Sequence, residues 1–143
     1  MMKSYWLKQT VTICVGLCLL IPAHAETTLG GTYSSFKPHR GSGDLLGVEL
    51  HILPSRKGYF VVFQSSEGEP DQPVLVPAIV NGTRLSFILP PGGSYTGKFT
   101  GEINSRYITG RFENGALSPD GASIWKIKGG ASFWQRSTKA RRH

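Results

Sequence analysis

From residue 31 onward, apolar and polar side chains alternate with a period of two, in short runs rich in Val, Ile, Phe, Tyr and Thr. No stretch of residues 26–135 keeps a helical spacing. A period of two sends successive side chains to opposite faces of an extended chain, so each run reads as a strand with one face for a core. The pattern predicts strands over 31–36, 46–53, 58–65, 73–80, 83–89, 95–103, 106–113 and 122–128, with a short ninth near 132–135. Regular spacing and short connections predict an all-β, single-domain fold, a small antiparallel up-and-down barrel of about eight strands or a two-sheet sandwich.

Two hairpins carry the most specific local signals. Asn81-Gly82 lies between apolar runs and suits a type I′ turn, where both central residues take positive φ. Centred there, the turn pairs Val80 with Thr83, Ala78 with Leu85, Val76 with Phe87 and Val74 with Leu89. Pro77 then faces Ser86 in a non-hydrogen-bonded pair, so its missing N–H points toward strand 58–65, and the sheet is expected to be loosest there. The second hairpin spans YTGKFTGEINSRYITGRF, residues 95–112. A turn at Asn104-Ser105 sets Phe99 opposite Gly110 and Gly97 opposite Phe112. Rings covering glycine kinks are a device for curling a sheet toward closure.

The ends differ from the body. Lys3 and Lys8, an apolar run over 11–21 and Ala23-His24-Ala25 make residues 1–25 read as a cleavable secretory signal peptide. A lipoprotein is the competing reading at Cys18, but Leu17 before it is not small. Cleavage after Ala25 would remove both cysteines, Cys14 and Cys18, and leave 118 of the 143 residues. A cysteine-free chain entering an oxidising compartment fits a bacterial periplasmic or secreted protein better than a disulfide-stapled animal one. Of the 16 Lys and Arg, Lys3 and Lys8 leave with that segment, so 14 basic groups face 9 acidic ones. Six of the basic groups (Lys126, Lys128, Arg136, Lys139, Arg141, Arg142) lie at or after residue 126 with no acidic residue among them. Residues 26–135 read as the barrel domain and 136–143 as a basic tail. In that tail Arg136, Lys139, Arg141 and Arg142 are candidates for contact with an anionic membrane surface. Nucleic acid is not an expected partner in that compartment.

Gly31-Thr32-Tyr33, opening the first strand, resembles the Gly-x-Trp start of lipocalins and other calycins, with Tyr33 in place of the Trp. The resemblance implies a calycin-like barrel whose floor aromatic packs under a basic residue, here Lys128 or Arg136. It further implies an interior able to hold a small apolar ligand. Tyr33, Phe63, Phe87 and Trp125 are the candidate lining, and alternation points many of the chain's aromatics inward. The competing expectation is that these rings fill the barrel solidly.

Catalytic and metal chemistry find less support. Glu49 and His51 share one strand face opposite Val48, Leu50 and Ile52, and a zinc site would need further ligands, with His39 the nearest candidate in sequence. The plainer reading is an exposed His–Glu pair. Glu67, Glu69 and Asp71 could hold calcium but read more simply as a solvated loop. No Gly-x-Ser-x-Gly elbow is present, so no catalytic residue, metal ligand or cofactor is assigned. The sequence therefore points to a binding or interaction module, for a small apolar ligand or for a protein such as an envelope enzyme that it inhibits. A hydrolase without a recognisable motif is the third alternative.

Overall fold

The computed structural model describes residues 29–118, 120–126 and 131–135. Ten strands form: β1 (Gly31–Ser34), β2 (Lys37–Pro38), β3 (Leu45–Ser55), β4 (Gly58–Gly68), β5 (Val74–Asn81), β6 (Arg84–Leu89), β7 (Gly97–Ile103), β8 (Tyr107–Phe112), β9 (Gly115–Ala116) and β10 (Ile124–Lys126). All pairings are antiparallel, and β1 pairs with both β3 and β10. The sheet therefore closes on itself as an eight-stranded barrel of β1, β3, β4, β5, β6, β7, β8 and β10. β2 extends the pairing along β3, and β9 folds onto β8.

The alternation seen in the sequence is the alternation of the wall. Val48, Leu50 and Ile52 of β3 point inward, as do Val61 and Phe63 of β4 and Phe99 and Ile103 of β7. Phe87 stacks on Phe99 with centroids 4.8 Å apart, and Phe112 meets Phe63, Phe87 and Phe99 at 5.6, 5.8 and 5.3 Å. These rings fill the centre of the barrel. Burying each contributes about 1.5–3 kcal/mol, so a ligand entering the centre would first have to displace a ring and forfeit that amount.

Both hairpins turn one residue later than their dipeptides suggest, which shifts every pair by two. Asn81 pairs with Arg84, Val80 with Leu85 and Ala78 with Phe87. Gly82 takes φ 59° and, among the described residues, none other than glycine has positive φ, so the two-residue turn is Gly82-Thr83, not a type I′ turn at Asn81-Gly82. In the second hairpin Phe99 pairs with Phe112, Gly101 with Gly110 and Ile103 with Ile108. Here Asn104 opens the turn: its Oδ1 accepts the N–H groups of Arg106 (2.7 Å) and Tyr107 (3.0 Å), an Asx turn that fixes Ser105-Arg106 as the loop. A shift of two leaves each side chain on its expected face, so the core survives the change in register. The ring-over-glycine arrangement also survives, displaced. Phe99 covers the facing pair Gly101 and Gly110, where a Cβ would come within 2.7 and 2.6 Å of its Cζ. Gly97 instead pairs with Leu89.

The register moves the consequence of Pro77. In a two-residue hairpin the pair flanking the turn is hydrogen-bonded and the type then alternates, so Pro77 falls opposite Ile88 at a hydrogen-bonded position. Its missing N–H ends the β5–β6 ladder at Ala78–Phe87, while the β4–β5 ladder runs past it through Phe60–Pro77 to Phe63–Val74. The wall is interrupted on the β6 side, not toward β4 as expected.

The expected ninth strand is a helical turn at 133–135. Ser132 Oγ accepts the Gln135 N–H (3.3 Å) and Gln135 Oε1 accepts the Ser132 N–H (3.2 Å), the reciprocal pair of a Ser-x-x-Gln capping box.

Candidate functional site

The loops at one end of the barrel, its mouth, follow β4, β6 and β8 and precede β3. Between them lies a cleft of about 230 Å³, lined by Phe63, Ser65, Asp71, Gln72, Val74, Leu89, Pro90, Pro91, Gly92, Gly93 and Tyr95. Its apolar floor is the top of the aromatic core: the Tyr95 ring lies 5.6 Å from Phe63 and 5.2 Å from Phe112. Its polar wall is Asp71, held by three bonds to β4. Ser65 Oγ donates to Asp71 Oδ2 at 2.6 Å, Gln64 Nε2 donates to the Asp71 carbonyl at 2.9 Å, and the Asp71 N–H donates to the Ser65 carbonyl at 2.9 Å. Proline at 90 and 91 stiffens the facing loop.

The charge around the mouth is acidic. Asp44, Glu69, Asp71, Glu113 and Asp120 occupy its loops and Glu67 nears the end of β4, against Lys37 and Arg40 beside them and Lys98 and Arg111 at the adjoining ends of β7 and β8. One of these cations is engaged, Lys37 Nζ lying 3.8 Å from Asp120 Oδ2. Burial, then the charges of Glu67 and Asp120, push the Tyr95 phenol above its ordinary value, so it stays a hydrogen-bond donor. The cleft thus combines an aromatic floor, one fixed carboxylate and a phenolic O–H under a negative potential. The acidic loop faces this cleft without gathering as a calcium site. Among the described residues no three His, Cys, Asp or Glu side chains converge on a point.

A second polar cluster lies on the outer wall. Glu49 is 1% exposed, beneath the C-terminal turn, not part of an exposed pair. Its Oε2 accepts the Phe133 N–H at 2.8 Å, and His51 Nε2 lies 3.2 Å from its Oε1. Oε1 is satisfied only when Nε2 carries a proton, and Nδ1 of a neutral imidazole is then free to accept the Thr32 hydroxyl at 3.0 Å. Burial pushes the Glu49 carboxyl up, but hydrogen bonds from His51, Phe133 and Ser34 outweigh it and hold the group below its ordinary range. Hydroxyl, imidazole and carboxylate in this order resemble a hydrolytic relay, but a nucleophile must meet its substrate and Thr32 is only 4% exposed. The cluster anchors the C-terminal turn. Phe133 and Trp134 pack on Phe36 at 5.7 and 6.2 Å, and Trp134 Nε1 donates to Gln64 Oε1 at 2.8 Å. His39 stands apart in its loop, its Nδ1 3.1 Å from Ser42 Oγ.

The structure does not bring the four sequence-predicted lining residues together. Phe63 forms the cleft floor and Phe87 lies beneath it in the core. Tyr33 is buried at the opposite end, its O–H donating to the carbonyls of Leu29 (3.0 Å) and Asn104 (2.8 Å), and burial pushes its pKa up to about 12. Trp125 points outward against Tyr107, because alternation along β10 sends Ile124 inward and its neighbour out. The cation over Tyr33 is Lys126, its Nζ 5.5 Å from the ring centroid and donating to the Gly30 carbonyl at 2.6 Å. Lys128, like residues 1–28 and the tail with Arg136, Lys139, Arg141 and Arg142, lies outside the described residues. The sequence alone does not single out Tyr95, and it places Asp71 in a solvated acidic loop. The available signal was that the acidic loop and Pro90-Pro91-Gly92-Gly93 must share one end of any meander. Comparisons with protein-family models, with curated proteins and with solved structures yield no match.

Proposed function

We propose that the protein is a binding module whose mouth cleft captures a small ligand with an apolar body and a cationic group. The carrying observation is Asp71, fixed by Ser65 and Gln64 at the rim of a cleft floored by Phe63 and Tyr95. An apolar ring on that floor leaves water, while an ammonium group meets the carboxylate, a charge-assisted contact worth about 1.5–3 kcal/mol. The acidic loops favour approach of cations and disfavour anions. At 230 Å³ the cleft is smaller than the roughly 300–1,000 Å³ of drug-sized sites, so it takes one ring with a short chain. The same dimensions admit one basic or aromatic side chain of a protein, which is the second reading, an inhibitor or adaptor of an envelope protein. We further propose export to the periplasm as the setting, on the strength of residues 1–25.

Titration with phenethylamine, followed by the amide resonances of residues 63–72 and 89–95, tests the first reading. Saturable shifts are expected with the amine and none with phenylacetate. Asp71→Asn should weaken binding by about tenfold or more. Equal affinity for amine and acid, or an unaffected Asp71→Asn variant, would overturn it.

A further inference from the structure

The hairpin end of the barrel, opposite the mouth, has the reverse charge. The β3–β4 turn carries Arg56 and Lys57, and Arg84 begins β6 at the next turn; all three are exposed, and among the described residues none forms a salt bridge. Glu102, paired across from Arg84, is the one described carboxylate at this end. Above these cations the outer wall is apolar. Leu53, Phe60 and Pro77 stand side by side on three strands. Ile79 and Ile88, 70% and 65% exposed, line the groove of about 390 Å³ left where Pro77 ends the β5–β6 ladder. Lys98 stands at the groove's rim.

We propose that this wall and its basic hairpin edge form a docking surface for an anionic phospholipid bilayer. An exposed apolar patch bordered by cations fits a boundary where hydrocarbon meets negative charge, as at the headgroup level of such a membrane. The isoleucines enter the acyl region while Arg56, Lys57 and Arg84 remain among the phosphates. A second copy of the chain is the poorer occupant, because its copy of this face carries the same cations and, besides Glu102, no described carboxylate to meet them. The surface belongs to the folded barrel, shares no residue with the mouth cleft and includes none of residues 136–143.

Co-sedimentation of the full chain with phosphatidylglycerol and phosphatidylcholine vesicles at low salt tests the proposal. Binding to the anionic vesicles is expected, with at least tenfold preference over the zwitterionic ones. The triple variant Arg56→Gln, Lys57→Gln, Arg84→Gln should lower that binding by roughly fivefold per cation removed. Ile79→Ser with Ile88→Ser should lower it by about tenfold or more. These side chains are exposed, so melting temperatures should hold. As a measurement independent of these losses, Ile88→Trp should show added blue-shifted emission only with anionic vesicles. The proposal is overturned if the chain shows no preference for phosphatidylglycerol, or if the wall variants bind it as the parent does while deletion of 136–143 abolishes binding. A parent dimer that Ile79→Ser and Ile88→Ser dissociate would assign the face to a second copy instead.

Discussion

Gly101 and Gly110 face each other beneath the Phe99 ring, and neither has room for a side chain. A Cβ on Gly101 would lie 2.1 Å from the Thr109 carbonyl oxygen, a backbone atom that cannot swing away. Gly101→Ala should therefore destabilise the barrel by about 1–3 kcal/mol, the usual range for overpacking. Gly115→Ala is the control, since a Cβ there meets nothing within 4 Å. Thermal melts should separate the two, and equal melting temperatures would mean that the facing-glycine register is wrong. Glu49 gives a second residue-scale test. Its folded pKa lies below the ordinary 4.5, so the fold favours its ionised form. That contribution is fully present above pH 4.5 and fades as pH falls through the lowered value. Glu49→Gln should be less stable than the parent at neutral pH, and the gap should narrow below pH 4.5. A gap that stays constant with pH would remove the carboxylate's charge from the account.

At the scale of elements, the sequence specified faces better than partners. Strand alternation is a local property, so Val48, Leu50 and Ile52 were legible as core before any pairing was known. Register depends on which residue opens a turn, and at both hairpins asparagine serves as the last paired residue where it was taken for a turn residue. Asn104 explains its own position, because its side chain can bond to N–H groups ahead of it only from the start of the turn. The C-terminal turn was misread as a strand because of its two aromatics, although Ser132-Phe133-Trp134-Gln135 spells a capping box. The mouth cleft was legible only in part: a meander puts the acidic loop and Pro90-Pro91-Gly92-Gly93 at one end, but that Asp71 and Tyr95 line one cleft there depends on how the wall curves. Pro77 provides the element-scale prediction. Pro77→Val restores an N–H opposite Ile88, which should lengthen the β5–β6 ladder and add about 0.5–1.5 kcal/mol. In hydrogen exchange the amide introduced at this position should be protected. A freely exchanging amide there would show that the ladder ends for another reason.

At the scale of the molecule, a formal net charge of +7 conceals a polarised body, with carboxylates at the mouth and Arg56, Lys57, Arg84 and Arg106 on the hairpins at the other end. This arrangement was available in the sequence once a meander was assumed, because alternate connections of a meander share an end. If the wall docks as proposed, the barrel lies on its side and the mouth opens along the membrane surface, where solutes can still reach it. Closure of the barrel brings a further consequence. β1 is held by β10, and the Lys126–Gly30 bond joins residues 96 apart in the chain. Until residue 126 of 143 has left the ribosome, β1 lacks one neighbour and β8 presents an unpaired edge. Nearly the whole time of synthesis thus passes with an open sheet, a state that aggregates readily but that an export or holding factor can still thread as an unfolded chain. A chain stopped at residue 121 should stay in that state, binding hydrophobic dye and lacking a cooperative melt. The last two dozen residues act as a timer, deciding when the open sheet becomes a closed barrel.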